Sequence, residues 1–152
     1  MQVRSFQPGD FESLYALEEL CFKPPLQFDR EYMLKILTQP ASINHLVVNS
    51  SGVAAFIIGS VLQKTSIRAV YIETLEVNPA HRRHGYASQL LLELEASARL
   101  RSAAQIWLHV DTANSAAIRL YERHNFILHK TIDNFYPNGG AAHLYRKNIE
   151  SK

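Results

Sequence analysis

Residues 69–92 read AVYIETLEVNPAHRRHGYASQLLL, and the apolar period changes within them. Arg68 to Val77 is rich in β-branched and aromatic residues, and this predicts a strand. Asn78-Pro79 ends it, because proline cannot donate to a ladder. Ala87, Leu90, Leu91, Leu94 and Ala98 then recur at helical spacing, which predicts a helix from about Tyr86 to Leu100. Between the two lies Arg82-Arg83-His84-Gly85. The first N–H groups of a helix lack internal partners and carry the positive end of its dipole. Gly85 permits a tight turn and close approach of the backbone, and Ala87 is too small to obstruct it. A pyrophosphate fits this turn. The turn also fits an ordinary helix start under a basic surface loop. G-x-x-x-x-G-K-[ST] does not occur, so a P-loop is out, and without G-x-G-x-x-G a Rossmann dinucleotide site is poorly supported.

Outward from this stretch, structural signals continue in both directions. Upstream, Gln2 to Phe6 alternates as a short strand, and Asp10 is placed to cap a helix carrying Phe11, Leu14, Tyr15, Glu18 and Phe22. Of these five, Glu18 alone is not apolar-bodied. Asp29 can cap a second helix that ends before Pro40. His45–Asn49 and Val53–Leu62, joined by Ser50-Ser51-Gly52, read as a hairpin. Downstream, Gln105–Val110 is a strand, Asn114 opens an amphipathic helix through Arg123, and Phe126–Thr131 and Ala142–Ile149 are further strands. The order is β-α-α-β-β-β-α-β-α-β-β, which predicts a mixed sheet with helices on its faces.

The chain has 152 residues, 47% hydrophobic and 20% charged, with 6 Gly and 6 Pro. That is the length and composition of one globular domain, expected to span 1–152, without repeats or linkers. A formal charge of +2 lacks the excess of a dedicated nucleic-acid binder. The single cysteine, Cys21, allows no internal disulfide and no cysteine zinc site. The seven histidines show no H-E-x-x-H or comparable spacing, so no metal is expected. No apolar run approaches the ~20 residues of a membrane span, and Met-Gln-Val-Arg does not open like a signal peptide. A cytoplasmic location is expected.

Arg82-x-x-Gly85-x-Ala87 after Val77-Asn78-Pro79 resembles the acetyl-CoA motif of the GCN5-related N-acetyltransferase superfamily. Asn114-Ser-Ala-Ala-Ile-Arg-Leu-Tyr121-Glu-Arg123, followed by Phe126, resembles that superfamily's N-x-x-A-x-x-L-Y-E-x helix. Within it, Tyr71-Ile72-x-Thr74-Leu75, Leu108-His109-Val110 and Asn134-Phe135-Tyr136 are most similar to the N-terminal protein acetyltransferases. The resemblance implies an α/β fold with a mostly antiparallel mixed sheet flanked by about four helices. It implies acetyl-CoA at a splay between the fourth and fifth strands, with Leu75, Glu76 and Val77 pairing with the pantetheine arm. Arg82, Arg83, His84, Gly85, Tyr86, Ala87 and Ser88 would cradle the pyrophosphate, and Asn114 and Ala117 would meet the pantetheine. The implied activity is direct acetyl transfer to a primary amine: a protein N-terminus, or else an amino acid or polyamine. A CoA-binding sensor is the reading without turnover. The expected assembly is a monomer or homodimer.

The catalytic candidates follow. Tyr121 would protonate the leaving thiolate, and its rival reading is a core aromatic. Asn114 and Tyr121 are two helical turns apart, about 10 Å along one face. In the bacterial ribosomal-protein enzymes a Glu matches the position of His109; in some eukaryotic relatives it is His, acting through water with a Tyr matched by Tyr71. His titrates near neutrality, which suits an α-amine of pKa ~7.7–8.0. The rival reading is a hydrogen-bonded sheet histidine. Glu73 is the alternative base, or an amine-binding group. Strict alternation puts Tyr71, Glu73, Leu75 and Val77 on one face. Phe22, Pro24 and Leu26, with Phe135 and Tyr136, would flank the acceptor, though Tyr136–Gly140 also reads as a plain turn. Asn125 stands where the family has Gly, at a helix end needing positive φ, which Asn tolerates.

Overall fold

The computed structural model describes residues 1–149. Its strands are β1 (Gln2–Arg4), β2 (Ser42–Asn49), β3 (Gly52–Lys64), β4 (Ile67–Val77), β5 (Gln105–Asp111), β6 (Ile127–Ile132) and β7 (Ala142–Asn148). The helices are α1 (Phe11–Cys21), α2 (Arg30–Thr38), α3 (Tyr86–Leu100) and α4 (Ser115–Arg123), with short 3-10 turns at 8–10 and 79–81. The seven strands form one sheet in the order β1-β2-β3-β4-β5-β7-β6. All neighbours are antiparallel except β4 and β5. The expected mixed α/β architecture and element order are found.

Helices α3 and α4 cover one face, where Leu90, Leu91, Leu94 and Ala98 meet Val70, Ile72, Ile106 and Leu108. Each Leu fully buried in this way contributes roughly 1.5–3 kcal/mol. Helices α1 and α2 cover the other face over β2 and β3, with Leu14, Met33 and Ile36 against Leu46, Phe56 and Ile58. Asp29 caps α2 as expected, accepting from the Tyr32 N–H at 2.7 Å. Asp10 occupies the N-cap of α1, but its carboxylate is taken by Arg4 (2.7 and 2.9 Å) and the Gln7 N–H (2.8 Å), so its side chain does not cap that helix. β1 stops at Arg4, not Phe6, because the Phe6 N–H turns to Asn44 Oδ1 at 2.8 Å. Asn125 adopts φ +69°, the left-handed turn expected at the end of α4.

Two features of β4 position the site. First, β4 and β5 pair only from Ala69–Tyr71 to Gln105–Trp107. Beyond Tyr71 they diverge, and the β5-facing edge of β4 lies open while its other edge stays paired with β3. Second, the β3–β4 register slips at Glu73: Ile58 faces Thr74 and Gly59 faces Ile72. Glu73 is the extra residue of a β-bulge, which reverses the alternation after it. Ile72 and Leu75, three residues apart, therefore both meet the α3 side. The single face expected for Tyr71, Glu73, Leu75 and Val77 is not formed. Tyr71 and Glu73 look toward α2, and Leu75 and Val77 toward α3.

Candidate active site

The divergence of β4 and β5 opens a cavity of about 630 Å³ that reaches both faces of the sheet. Ile72, Leu75, Asn114, Ala117 and Tyr121 line it from the α3/α4 side; Tyr71, Glu73, Thr74 and His109 line it from the other. Phe22, Leu26, Phe135 and Tyr136 are in its wall, while Pro24 is exposed outside it and Pro25 lines it instead.

On the α4 side, Asn114 ends the loop after β5, and its Oδ1 caps the helix by accepting from the Ala117 N–H at 3.2 Å. Its Nδ2 is left free to donate. Two turns on, Tyr121 is 7% exposed and its ring meets Phe126 edge-on at 5.7 Å. Burial, with the nearby Tyr136 and Tyr71 phenols, pushes the Tyr121 phenol well above its ordinary range, so it keeps its proton at neutral pH.

On the opposite side, Tyr71 and His109 come from neighbouring strands, and the Tyr71 hydroxyl and His109 Nδ1 are 2.8 Å apart. Phe135, from the β6–β7 loop, stacks on the imidazole with centroids 4.2 Å apart and planes 21° from parallel. Burial, followed by the Lys130 charge, holds His109 below its usual pKa. It is therefore neutral at pH 7. Tyr71 is pushed up by burial and by Glu73, and it too stays protonated. The two carboxylate oxygens of Glu73 accept from Tyr32 (2.7 Å) and from Ser60 (2.9 Å).

Sequence reasoning missed a second acidic group. Glu18 of α1 and Glu76 of β4 are 1% and 2% exposed. Glu18 Oε2 accepts from the Phe28 N–H at 2.8 Å, and Glu76 Oε2 accepts from Thr74 Oγ1 at 2.8 Å. The Oε1 atom of each has no donor from elsewhere in the described chain. A proton kept by Glu76 is the donor that this pair otherwise lacks. Burial first, and the bond to Glu18 second, raise Glu76 far above the carboxylate range. The signal was Glu18 itself, a carboxylate inside an apolar helical stripe. Cys21, beside this pair, points its thiol at the Val77 carbonyl (3.8 Å) and is pushed up to about 11 by burial. It has none of the acidity of a nucleophilic thiol.

Behind the splay, the turn from β4 to α3 has the geometry an anion needs. Gly85 is the N-cap at φ +76°, with nothing within 4 Å of where a Cβ would stand. The first amide of this turn with a backbone acceptor is that of Gln89, bonded to the Gly85 carbonyl at 3.0 Å. Arg82, Arg83 and His84 are exposed around it, while Tyr86, Ala87 and Ser88 begin the helix. Ser88 Oγ is held by His124 of the α4 terminus at 3.0 Å. An open strand edge at Leu75–Val77, followed by free helix amides and two arginines, fits an extended arm ending in a pyrophosphate.

Comparison with known proteins agrees. A stretch of 69 residues, 43% of this chain and 25% of the relative, is 39% identical to N-alpha-acetyltransferase 60 of Drosophila melanogaster. An acetyltransferase of Yersinia enterocolitica is 29% identical over 134 residues, 87% of this chain and 92% of the relative. The ribosomal-protein-S18-alanine N-acetyltransferase of Escherichia coli shares the fold with a TM-score of 0.86, at 23% identity over 99% of this chain and 95% of that one. The acetyltransferase (GNAT) family model matches residues 11–126, so the chain, with its splayed β4 and β5 and its Gly85 turn, belongs to that family.

Proposed function

We propose that this N-acetyltransferase carries acetyl from acetyl-CoA to the α-amine of a protein N-terminus, by direct attack in a ternary complex, with the whole chain acting as one domain. The observation that carries this reading is the Tyr71–His109 pair, set in the wall of the cavity between two aromatic loops. The acceptor groups named in the relatives support it: an N-alpha amine in the Drosophila protein and a ribosomal-protein alanine in the bacterial neighbour. A polyamine pocket needs carboxylates free to meet several ammonium groups. Here Glu73 accepts two hydroxyls, while Asp29 and Asp111 accept from the Tyr32 and Ala113 amides.

The open edge at Leu75, Glu76 and Val77 pairs with the pantetheine, Asn114 Nδ2 donates to it beside Ala117, and the turn from Arg82 to Ser88 holds the pyrophosphate. The neutral amine attacks the thioester carbonyl; the C–N bond forms as the C–S bond breaks. The proton lost by the amine passes through water to the Tyr71 oxygen as Tyr71 gives its own to His109 Nδ1. Tyr121 donates to the departing thiolate. Glu73, already holding two hydroxyls, orients Tyr32 at the acceptor mouth. Phe22, Leu26, Phe135 and Tyr136 enclose the first acceptor residue.

The test is thiol release from acetyl-CoA with short peptides of varied first residue, alongside free lysine and polyamines. The expected result is turnover of peptides that vanishes when the α-amine is blocked. Turnover of small amines alone overturns the protein acceptor, and acetyl-CoA binding without turnover on any amine overturns direct transfer.

A further inference from the structure

We propose that a second groove on the acceptor face of the sheet takes the downstream residues of the acceptor, and that it selects an apolar side chain followed by an acidic one near the fifth position. This rests on the protein-acceptor reading above. The groove, about 400 Å³, is walled at one end by Tyr71 and His109, the same two residues that wall the candidate active site. From them it runs along β4 and β5 over Ala69, Ile67, Trp107 and Leu144 to the β3–β4 turn at Lys64. A chain whose amine sits at Tyr71 and His109 has this groove as a continuous path.

The floor is built for side-chain contact. β4 and β5 are paired here, so no strand edge is offered. Ile67 is 46% exposed and Leu62 is 44% exposed. Trp107 is a fixed platform: its Nε1 donates to Gln105 Oε1 at 2.9 Å, and the His129 ring meets it edge-on at 5.2 Å. An apolar acceptor side chain laid on such a floor loses water-exposed surface and is held there.

The charge reverses along the path. Glu73, Asp29 and Asp111 line the cavity where the amine enters, and no carboxylate lines the groove. Lys64 stands at its far end, and the Arg146 guanidinium lies 5.6 Å from the centre of the Trp107 ring. Neither Lys64 nor Arg146 has a carboxylate partner among the described residues. The occupant is therefore positive at its amine and negative downstream. Tyr71 to Ile67 is four residues of strand, ~13 Å, which an extended acceptor covers in about as many residues, bringing the fifth to Lys64.

The experiment uses the full chain and the best first residue from the peptide panel. Three acceptors are compared: a hexapeptide with Leu at position 4 and Glu at position 5, the same peptide with Lys at position 5, and its first three residues alone. The expected kcat/KM of the Glu hexapeptide is about tenfold above the tripeptide and about threefold above the Lys hexapeptide. Lys64→Glu reverses the preference between the two hexapeptides, and Ile67→Asp removes the gain from length. Equal kcat/KM for tripeptide and hexapeptide, or a charge preference that Lys64→Glu does not move, overturns the groove and leaves the protein acceptor standing. Peptides of both lengths untouched while a small amine is acetylated overturns the protein acceptor and the groove with it.

Discussion

The two faces of the sheet at the splay are built from different chemistry. On the α3/α4 side the cavity wall is Ile72, Leu75, Ala117 and the buried Tyr121, a mostly apolar setting with the Asn114 amide at its rim. On the α1/α2 side it is Tyr71, Glu73, Thr74 and His109, each in a hydrogen bond. Burial on the first side keeps a proton on Tyr121, the group proposed to give one up. Partial burial on the second keeps a proton off His109, the group proposed to take one. The same physical cause, desolvation of the charged form, sets up the donor and the acceptor because one group is an acid and the other a base. The difference teaches that, in the proposed mechanism, the sheet itself separates the two proton transfers.

The largest test of that separation is Tyr121→Phe. It is expected to lower kcat by about 10²–10³ while the KM for acetyl-CoA stays within about twofold, since Asn114 and the Gly85 turn remain. Unchanged kcat removes Tyr121 from the chemistry. Next is His109→Ala, with a fall of about tenfold to a hundredfold at pH 7. The pH profile discriminates further. With His109 below its usual value, wild-type kcat/KM rises with pH in two steps, first as His109 loses its proton and again as the acceptor amine does. The variant instead rises only with deprotonation of the acceptor amine, near pH 7.7–8.0. An identical profile transfers the base role to Glu73 or to water.

The smallest effect concerns stability. Glu76 has a folded pKa raised above its unfolded one, so its contribution is fully present below the unfolded value and is lost as pH rises toward the folded one. Glu76→Gln keeps a hydrogen-bond donor toward Glu18 without a titrating proton. The variant is expected to gain on the wild type as pH climbs from about 4.5 to 8, reaching about 1–3 kcal/mol, or several degrees in thermal midpoint. A difference independent of pH breaks the account of Glu76 as the protonated member of the pair.

Much of this was legible in the sequence. The helix from Tyr86 to Leu100, the Gly85 turn and the Asn114–Tyr121 spacing are local, and local periodicity and turn chemistry report them directly. The acceptor side was less legible. Tyr71 and His109 could be named, but the bulge could not: Ile72 to Val77 continues the β pattern without a Gly or Pro to mark a slip, and the register is set by pairing with Ile58 and Gly59 on another strand. The Glu18–Glu76 pair joins a helix to a strand far along the chain, and only the misplaced carboxylate in the α1 stripe hinted at it. Pro24 and Pro25 exchange places at the cavity because loop conformation decides which ring turns inward.

The bulge also gives β4 a parity rule. Before Glu73 the odd-numbered residues, Ile67, Ala69 and Tyr71, lie on the face of the sheet away from α3; after it the even-numbered ones, Thr74 and Glu76, do. One strand thus serves two compartments with two interleaved alphabets that change places at a single residue. A redesign of the acceptor surface can edit odd positions upstream without touching the thioester side. Deleting Glu73 would remove the bulge without moving these facings, because Ile72 stays opposite Gly59 and Thr74 opposite Ile58; the strand would lose only the carboxylate that holds Tyr32 and Ser60.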